Sequence, residues 1–283
     1  MLKMKYGNDL SVPCLLTIVL ACSLLWMHPA AAAPSAKLWP RWQASVESST
    51  QVVDHSLWDT ILTKYLVTEH PSAINRFRYS AVTAEDRQSL NSYLLQLQKV
   101  KVSALNRSEQ KSYWINLYNA LTVKVILDHY PVKSIMDIDI SPGFFSNGPW
   151  DAKLFNLEGE ELSLNDIEHR ILRPIFNDNR VHYALNCASL GCPNLQPGAF
   201  TSVNTEQLLN EGAESYINNP SGVQVVNGQL EVSSIYKWFQ ADFGGSEQQV
   251  IEHLLLYAQG NLAHTLRTYK GKIRFDYNWN LNE

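Results

Sequence analysis

The sequence predicts a single, mostly helical α+β domain with short β-hairpins, and three observations support this fold class. Apolar residues recur at helical spacing in several segments that begin with capping pairs such as Thr83 with Asp86. Short apolar runs flank turn sequences, and Asn227-Gly228 is the clearest of these because a type I′ turn needs two positive φ angles. Helical and strand-like segments do not alternate as they do in βαβ proteins, which excludes a parallel doubly wound sheet.

Each predicted helix begins near a polar residue that can cap it and carries apolar residues three or four positions apart. The two clearest hairpins contain Glu158-Gly159 and Asn227-Gly228 at their turns. Helices are expected at 58–67, 83–101, 106–128, 163–176, 205–218, 235–241 and 250–258, hairpins at 154–162 and 223–232, and a closing strand at 273–277.

The helix expected at 106–128 is apolar on nearly all sides, which is typical of a buried helix. Within it, Asn116 and Asn119 lie three positions apart and therefore on one face. An unpaired buried amide costs about 1–3 kcal/mol, so both side chains are expected to be hydrogen-bonded. Their amides are also candidate groups for positioning a substrate.

The first 32 residues have the layout of a secretory signal peptide. Lys3 and Lys5 precede an apolar run at 12–27, and the small residues that follow place the expected cleavage after Ala32. The run is shorter than the roughly 20 residues that a membrane-spanning helix needs. Lipoprotein anchoring through Cys22 is less favoured because the apolar stretch continues beyond it.

The mature protein is therefore expected to be periplasmic or secreted and to have no transmembrane helix. Its predicted parts are a lead-in segment at 33–52 and one domain at 53–283. The formal net charge of the full sequence is −4 at pH 7 and no basic stripe is present, so nucleic-acid binding is not expected. No cofactor is predicted, and the partner is left open as a small-molecule, peptide or envelope substrate.

Cys187 and Cys192 are the only cysteines of the expected mature chain, since Cys14 and Cys22 leave with the signal peptide. An even number of cysteines in an exported protein favours a disulfide. Residues five apart on a continuous helix point to different sides, so a bridge requires 188–191 to form a turn. A loop this small would stabilise the fold by about 2 kcal/mol.

The same stretch also permits a thiol nucleophile. If 181–185 forms a short buried strand that ends at Asn186, Cys187 would lie where a strand turns into a helix. Backbone N–H groups at such a turn can form an oxyanion hole. A thiol also needs a base or a helix N-terminus to lower its pKa.

His169 is the favoured base for this nucleophile. His182 is less suitable because it and Cys187 would face opposite sides of one straight strand. Asp166 lies one helical turn before His169 on the same face and would orient the ring, with Glu168 as the alternative orienter.

Two further interpretations of the cysteines are weaker. A zinc site built from His182, Cys187 and Cys192 does not match the compact zinc motifs. A redox dithiol is also less favoured, because the usual reactive motif has two intervening residues rather than four.

Asp242-Phe243-Gly244 spells a kinase motif, but no other kinase motif accompanies it, so it receives no role. His253 likewise has no partner at a telling spacing.

Three blocks of sequence resemble the domain of unknown function 547 family, and the resemblance extends from about residue 53 to 282. The blocks are Tyr113-Trp-Ile-Asn-Leu-Tyr-Asn-Ala120, Leu162-Ser-Leu-Asn-Asp-Ile-Glu-His169 with Ile171-Leu-Arg173, and His182-Tyr-Ala-Leu-Asn-Cys187 with Cys192-Pro193. The resemblance implies an exported bacterial member of a family that also occurs in plants and animals. It implies no established reaction.

The resemblance places all the candidate site residues at motif positions of that family. Plant-like members usually have serine at the position of Cys192 and keep Cys187, which implies a role for Cys187 itself. The order of Asn-Cys after an upstream histidine is also similar to that of permuted papain-like thiol enzymes, so a papain-like arrangement around the Cys-His site is a possible detail of the fold.

Two hypotheses of different classes result. The leading one is a cysteine-dependent hydrolase or acyl transferase. The competing one is a non-catalytic envelope binding or scaffold domain in which Cys187–Cys192 is a structural disulfide. In the first hypothesis, the site comprises Cys187 as nucleophile, His169 as base, Asp166 or Glu168 as its orienter, Asn116 or Asn119 as a positioning group, and His182 nearby.

Overall fold

Helices follow one another through most of the chain, with short β-hairpins between them, in the computed structural model, which describes residues 34–143 and 148–283. The helices are α1 (Ser56–Tyr65), α2 (Ala84–Leu97), α3 (Arg107–His129), α4 (Arg173–Phe176), α5 (Thr205–Ile217), α6 (Ile235–Trp238), α7 (Glu247–Leu255) and α8 (Gly260–Thr268). A π-helical segment, Asp166–Leu172, leads directly into α4. Shorter 3₁₀ turns lie at Pro40–Gln43, Tyr79–Ala81, Val102–Ala104, Ile135–Asp137, Asn179–Tyr183 and Gln240–Phe243.

The strands form three small sheets. They are β1 (Leu66–Val67), β2 (Arg76–Phe77), β3 (Phe155–Leu157), β4 (Glu160–Leu162), β5 (Val223–Val226), β6 (Gln229–Ser233) and β7 (Arg274–Asp276). The β1–β2, β3–β4 and β5–β6 pairs are antiparallel, and β7 pairs in parallel with β6. The predicted α+β class, with its hairpins at 154–162 and 223–232, is confirmed.

Helix α3 is buried on nearly every side, as its sequence predicts. The Asn106 side chain caps it by accepting a hydrogen bond from the Glu109 backbone N–H at 2.9 Å. Because α3 presents apolar residues all round, α2, α5 and the π-helical segment pack against it. This central helix is the frame on which the candidate site is built.

The apolar core has two parts. The larger cluster surrounds α3, and the smaller one lies between α5, α7, α8 and the β5–β7 sheet. The motif at 182–187 runs across their boundary, because Tyr183 packs into the smaller cluster while Ala184 and Leu185 pack into the larger one. The candidate residues therefore lie where the two parts meet.

Several local predictions differ from the structure. The strand expected at 181–185 is wrong, since Asn179–Tyr183 is a 3₁₀ helix whose first turn is capped by the Asp178 carboxylate. The helix expected at 235–241 is divided into α6 and a separate 3₁₀ turn. Helix α8 and the β1–β2 pair were not predicted, because their sequences lack clear caps or an alternating pattern.

The expected lead-in segment contacts the domain along the π-helical segment. Lys37 and Trp39 donate backbone hydrogen bonds to the carbonyl groups of His169 and Arg170, each at 2.9 Å, and Trp42 is almost fully buried. The expected signal peptide at 1–32 lies outside the described residues. Of the helices within 34–143 and 148–283, none has the length and apolar character to cross a membrane.

Candidate functional site

The two asparagines of α3 bind loop backbones. Asn116 donates to the Phe200 carbonyl at 2.7 Å and accepts from the Phe200 N–H at 2.9 Å. Asn119 donates to the Ala184 carbonyl at 2.9 Å and accepts from the Asn186 N–H at 2.9 Å. The prediction that both buried amides are hydrogen-bonded is confirmed. Each amide is engaged at its oxygen and its nitrogen, so each holds a loop against α3.

Five ionisable side chains gather at the π-helical segment and form what we call the ionic cluster: Glu168, His169, Arg173, His182 and Asp242. Arg173 makes a two-pronged contact with Asp242, with Nε to Oδ2 at 2.6 Å and Nη2 to Oδ1 at 3.1 Å. Asp242 Oδ2 also lies 2.8 Å from His182 Nε2. The other nitrogen of His182 is 3.7 Å from Glu168 Oε1.

His169 joins the ionic cluster through Arg173 rather than through a carboxylate. Its Nδ1 lies 3.1 Å from Arg173 Nη1 and 3.9 Å from Glu168 Oε1. A π-helix is wound more widely than an α-helix, and here side chains four positions apart meet, as Arg173 does with His169. The contact expected between Asp166 and His169 is not formed.

Asp166 instead caps its own helix. Its Oδ2 accepts from the Ser163 backbone N–H and hydroxyl, both at 3.0 Å, and is 2.5 Å from Lys153 Nζ. Arg170 Nη1 binds the other oxygen at 2.8 Å. Burial alone would raise the pKa of Asp166, but Lys153, Arg170 and Ser163 hold it below the usual value. Asp166 is thus a structural carboxylate, three residues from the histidine it was expected to orient.

Burial displaces the pKa values within the ionic cluster in opposite directions. It raises the pKa of Glu168 to about 7 and, with the neighbouring Arg173, lowers the pKa of His169 to about 3. Burial also lowers the pKa of His182, against the opposing effect of Asp242. For Asp242, burial is outweighed by hydrogen bonds from His182 and Arg173, which hold its pKa well below the usual value. At neutral pH His169 is therefore uncharged and a weak base.

Phe239 covers the ionic cluster. Its ring stacks on the His182 imidazole with the centroids 4.1 Å apart, and the Arg173 guanidinium lies 4.9 Å from its centroid. The cluster is also nearly closed to solvent, since His182 is 3% exposed and Glu168 is 8% exposed. Water and solutes therefore have little access to the two histidines.

The cysteines lie in a separate turn, the disulfide loop, which we define as residues 186–193. Cys187 and Cys192 are bonded to each other, with their Cα atoms 6.2 Å apart. The turn required at 188–191 is present, and Ala188 has a positive φ of 57°. No helix follows Cys187, so the predicted strand-to-helix turn, with its oxyanion hole, is wrong.

Hydroxyl and backbone groups, rather than imidazoles, surround the sulfurs. Tyr277 Oη lies 3.0 Å from Cys187 Sγ and 3.1 Å from Cys192 Sγ. The Cys187 backbone N–H donates to Cys192 Sγ at 2.9 Å, and Ser189 Oγ lies 3.5 Å from that sulfur. Through residues 34–143 and 148–283, no contact joins the His169 ring to Cys187.

Four half-buried aromatic side chains next to the disulfide loop form what we call the aromatic face: Trp150, Trp238, Tyr277 and Trp279. The ring of Tyr277 lies 4.6 Å from that of Trp279 and 4.8 Å from that of Trp238, centroid to centroid. Trp150 meets Trp279 edge-on at 5.7 Å. Tyr118 interacts with both Trp150 and Glu168. The aromatic face is thereby linked to the ionic cluster.

The structure thus brings together three of the predicted residues, Glu168, His169 and His182, and separates Cys187 and Asp166 from them. The weak zinc alternative is not assembled, because the sulfurs bond to each other and His182 binds Asp242. Across the described ranges, no three ligating side chains are arranged to hold a metal ion.

Sequence reasoning missed Arg173, Asp242, Tyr277 and His253. Arg173 stands in the family block, but the sequence indicates no role for it. The kinase-like motif gives Asp242 no role, although Asp242 is the anionic partner of both Arg173 and His182. The sequence offers His253 no partner at a telling spacing, yet its Nε2 lies 2.7 Å from the Tyr183 hydroxyl. The contacts of Asp242 with Arg173 and His182, of His253 with Tyr183 and of Tyr277 with Cys187 span 60 or more positions, so no local pattern could indicate them.

The comparisons with known proteins bear on the segment that carries most of these residues. The model of the family described as "Protein of unknown function, DUF547" matches residues 102–217. This segment includes α3 with both asparagines, four of the five ionic-cluster residues and the disulfide loop, while Asp242 and Tyr277 lie beyond it. No curated protein and no solved structure matches the chain. Through residues 102–217, the chain is therefore similar to the family described as protein of unknown function, DUF547.

Proposed function

We propose that this chain is an exported, non-catalytic binding domain of the cell envelope. One observation carries the proposal: the side chains that a thiol enzyme would use are already engaged within the protein. The two sulfurs are bonded to each other, and the α3 amides hold loop backbones. His169 and His182 belong to a buried ionic cluster, where partnered charges are held in place rather than presented to a substrate.

The surface best suited to a ligand is the aromatic face with the groove beside it. Tyr277 belongs to both. Aromatic rings supply large contact areas at little cost in side-chain entropy, which is why tyrosine and tryptophan are enriched where proteins bind. The indole N–H of Trp238 has no acceptor among the described residues. The polar side chains that line the groove are Ser221, Gln224, Glu231, Ser233, Asp276 and Asn278.

The chemistry of this lining favours a neutral oligosaccharide. Hydroxyl, amide and carboxylate groups pair with sugar hydroxyls, and ring faces attract the C–H groups of a sugar because the ring quadrupole is negative there. No lysine or arginine lines the groove, so it offers no cation to a phosphate or another anionic group. An envelope glycan without charge is the occupant we propose.

The experiment is a titration of the folded protein with a neutral N-acetylglucosamine tetramer and, separately, a neutral glucose tetramer, followed by tryptophan fluorescence and calorimetry. We expect one of them to bind, and Trp279→Ala to weaken that binding by about tenfold or more, as at other aromatic hot spots. Trp39→Ala is the matched control, since Trp39 is half-buried against Trp42 and Arg170, away from the groove. No response to either glycan from the folded protein would refute the ligand class.

A cysteine-dependent hydrolase or acyl transferase is the second candidate. The observation that favours it is that Cys187 is only half-buried, whereas Cys192 is buried. Catalysis would require reduction of the disulfide and a movement that brings His169 to Cys187. Turnover of a p-nitrophenyl ester by the reduced protein, lost in both Cys187→Ser and His169→Ala, would support it. Equal turnover in parent and variants would exclude it.

Export is part of the proposal and has its own test. The basic start, apolar run and small residues at 1–32 favour cleavage after Ala32. We expect protein recovered from the periplasm or medium to begin at Ala33, as read by N-terminal sequencing. An uncleaved chain in the cytoplasmic fraction would contradict export.

A further inference from the structure

We propose that Cys187–Cys192 is a thiol–disulfide exchange site that reacts with small thiols while the domain stays folded. Cys187 is the sulfur that is attacked, and Cys192 is the leaving sulfur. This activity is separate from glycan binding and does not rest on it. Three features of the disulfide loop carry the inference. Hydrogen bonds anchor it independently of the disulfide, its two cysteines are unequally exposed, and hydrogen-bond donors lie beside Cys192.

The disulfide loop is anchored without its covalent bond. Residues 278–282 run alongside it and exchange backbone hydrogen bonds with Ala188, Leu190 and Gly191 at 2.8 to 3.1 Å. The Asn186 side chain closes the loop at its base, because it donates to the Pro193 carbonyl at 2.8 Å and accepts from the Ala188 N–H at 2.9 Å.

Two further contacts fix the tip of the disulfide loop. The Tyr216 hydroxyl donates to the Gly191 carbonyl at 2.6 Å. The backbone of residue 278 also approaches Gly191 so closely that only glycine fits there, because a Cβ at this position would lie 2.8 Å from the Asn278 backbone nitrogen. A bridge that closes such a short loop adds about 2 kcal/mol at most. Because hydrogen bonds already fix the same residues, the bond can open without unfolding the loop.

The two cysteines differ in exposure. Cys192 is 3% exposed, whereas Cys187 is half-buried. Exchange requires an attacking thiolate to reach one sulfur in line with the bond. Attack is therefore directed to Cys187, and Cys192 is protected from it.

The surroundings of Cys192 suit a departing thiolate. The Cys187 N–H donates to its sulfur at 2.9 Å, and the Tyr277 and Ser189 hydroxyls lie within hydrogen-bonding distance of both sulfurs, so they can donate to whichever sulfur departs. Burial raises the pKa of Tyr277, so its hydroxyl keeps its proton and can donate. Donors to a leaving sulfur lower its pKa and speed its departure.

The reaction balances as two successive exchanges. A thiolate of a small thiol attacks Cys187 Sγ, a new S–S bond forms, the Cys187–Cys192 bond breaks, and its electron pair stays on Cys192 as thiolate. A second thiolate attacks the sulfur of the attached thiol and releases Cys187 as thiolate. The two small thiols are oxidised to their disulfide, the cysteine pair is reduced, and the two protein thiolates take up the two protons that the small thiols lost.

The first experiment traps the mixed disulfide in the native protein. Cys192→Ser, which leaves Cys187 free, is incubated with oxidised glutathione and analysed by intact mass and peptide mapping, beside Cys187→Ser. We expect one glutathione on Cys187 and reaction of Cys192 slower by about tenfold or more, because Cys192 is buried. Circular dichroism confirms that each variant is folded. Faster reaction of Cys192, or reaction of neither cysteine until denaturant is added, would overturn the proposal.

The second experiment tests the donor role of Tyr277 with both cysteines present. We expect Tyr277→Phe to slow reduction of the disulfide by glutathione by about fivefold, as loss of one hydrogen bond to a developing charge implies. Tyr257→Phe is the control, because Tyr257 is also half-buried but contacts His253 instead. Unchanged or faster reduction in Tyr277→Phe would remove the leaving-group assignment.

Discussion

The ionic cluster and the disulfide loop contain residues only five positions apart, His182 and Cys187, yet they are opposite kinds of environment. The cluster is closed by Phe239, and its charges bind one another. Most of the loop is buried, only Cys187 and Leu190 are half-buried, and the sulfurs have neutral neighbours, the hydroxyls of Ser189 and Tyr277. Residues that are adjacent in sequence therefore need not share a site.

The cause of the separation is local. The chain leaves the 3₁₀ helix at Tyr183, and Asn119 holds Ala184 and Asn186, so the chain turns before it reaches Cys187. His182 is left facing the interior, while Cys187 begins a separate turn in which it is half-buried. The comparison teaches that burial and partners, rather than the presence of histidine and cysteine in one motif, decide which chemistry a stretch can support.

The largest expected effect is that of removing the cation of the ionic cluster. Arg173→Met leaves Asp242 with His182 as its partner in a buried site, and breaking such a pair costs about 3–5 kcal/mol of unfolding free energy. The measurement is urea denaturation. Arg170→Met is the matched control on the same segment, since its pair with Asp166 is more exposed and should cost about 1 kcal/mol. Equal losses in the two variants would contradict a closed ionic cluster.

The next effect is a dependence of stability on pH that comes from Glu168. Folding raises its pKa from 4.5 to about 7, so the folded chain binds more protons than the unfolded chain over that range. The contribution of Glu168 to stability is therefore present below pH 4.5 and is lost as the pH rises through about 7. Folding lowers the pKa of His169 from 6.5 to about 3, so the contribution of His169 to stability rises with pH. In the parent, this rise partly masks the loss that comes from Glu168.

Glu168→Gln isolates the effect, because the histidine contributions are common to both proteins. Between pH 4 and pH 8 the variant should gain about 3 kcal/mol of unfolding free energy relative to the parent. Denaturation curves at several pH values measure it, and the exposed Glu161→Gln is the control. A difference that does not change with pH would show that Glu168 is not held in its neutral form.

A loss of stability is also expected at the residue that separates the two regions. Asn119→Ala removes the partners of the Ala184 carbonyl and the Asn186 N–H, and each buried group left unpaired costs about 1–3 kcal/mol. Asn119→Asp keeps an acceptor for the Asn186 N–H, and at a pH low enough to protonate this buried carboxyl it should recover part of the loss. Thermal denaturation of the two variants gives the comparison, and equal destabilisation would exclude the proposed division of roles.

The smallest effect is expected in the disulfide loop. The double variant with Cys187→Ala and Cys192→Ala should lose at most about 2 kcal/mol of unfolding free energy, because hydrogen bonds hold the same turn. Its near-ultraviolet circular dichroism, which reports on the packing of Tyr277 and the tryptophans beside it, should match that of the parent. Loss of the folded state would show that the bond is an essential staple.

The fold was largely predictable because its signals are local. The caps at Thr83, Asn106 and Ser163 and the turn at Asn227-Gly228 all formed as expected, since each depends on residues within three or four positions. The buried amides of α3 were also foreseen, because an apolar helix leaves a polar group no water to bind. Patterns of this kind require no knowledge of the tertiary structure.

The site was predicted less well because it depends on distant partners. Asp242 reaches Arg173 and His182 across 60 or more positions, and Tyr277 reaches Cys187 across 90. In the segment that begins at 166, His169 pairs with Arg173 four positions later instead of with Asp166 three positions earlier. Helical spacing permits both contacts and could not decide between them, and it could not anticipate the distant partners at all.

The most direct test of the central claim is the rate at which glutathione reduces Cys187–Cys192 as urea is raised through concentrations at which the protein remains folded. If the disulfide loop is open to attack while the rest stays closed, the rate should be nearly independent of urea over that range. A rate that climbs steeply, with the slope of global unfolding, would mean that the bond is reached only in unfolded molecules, and the distinction between a closed ionic cluster and an accessible disulfide loop would be lost.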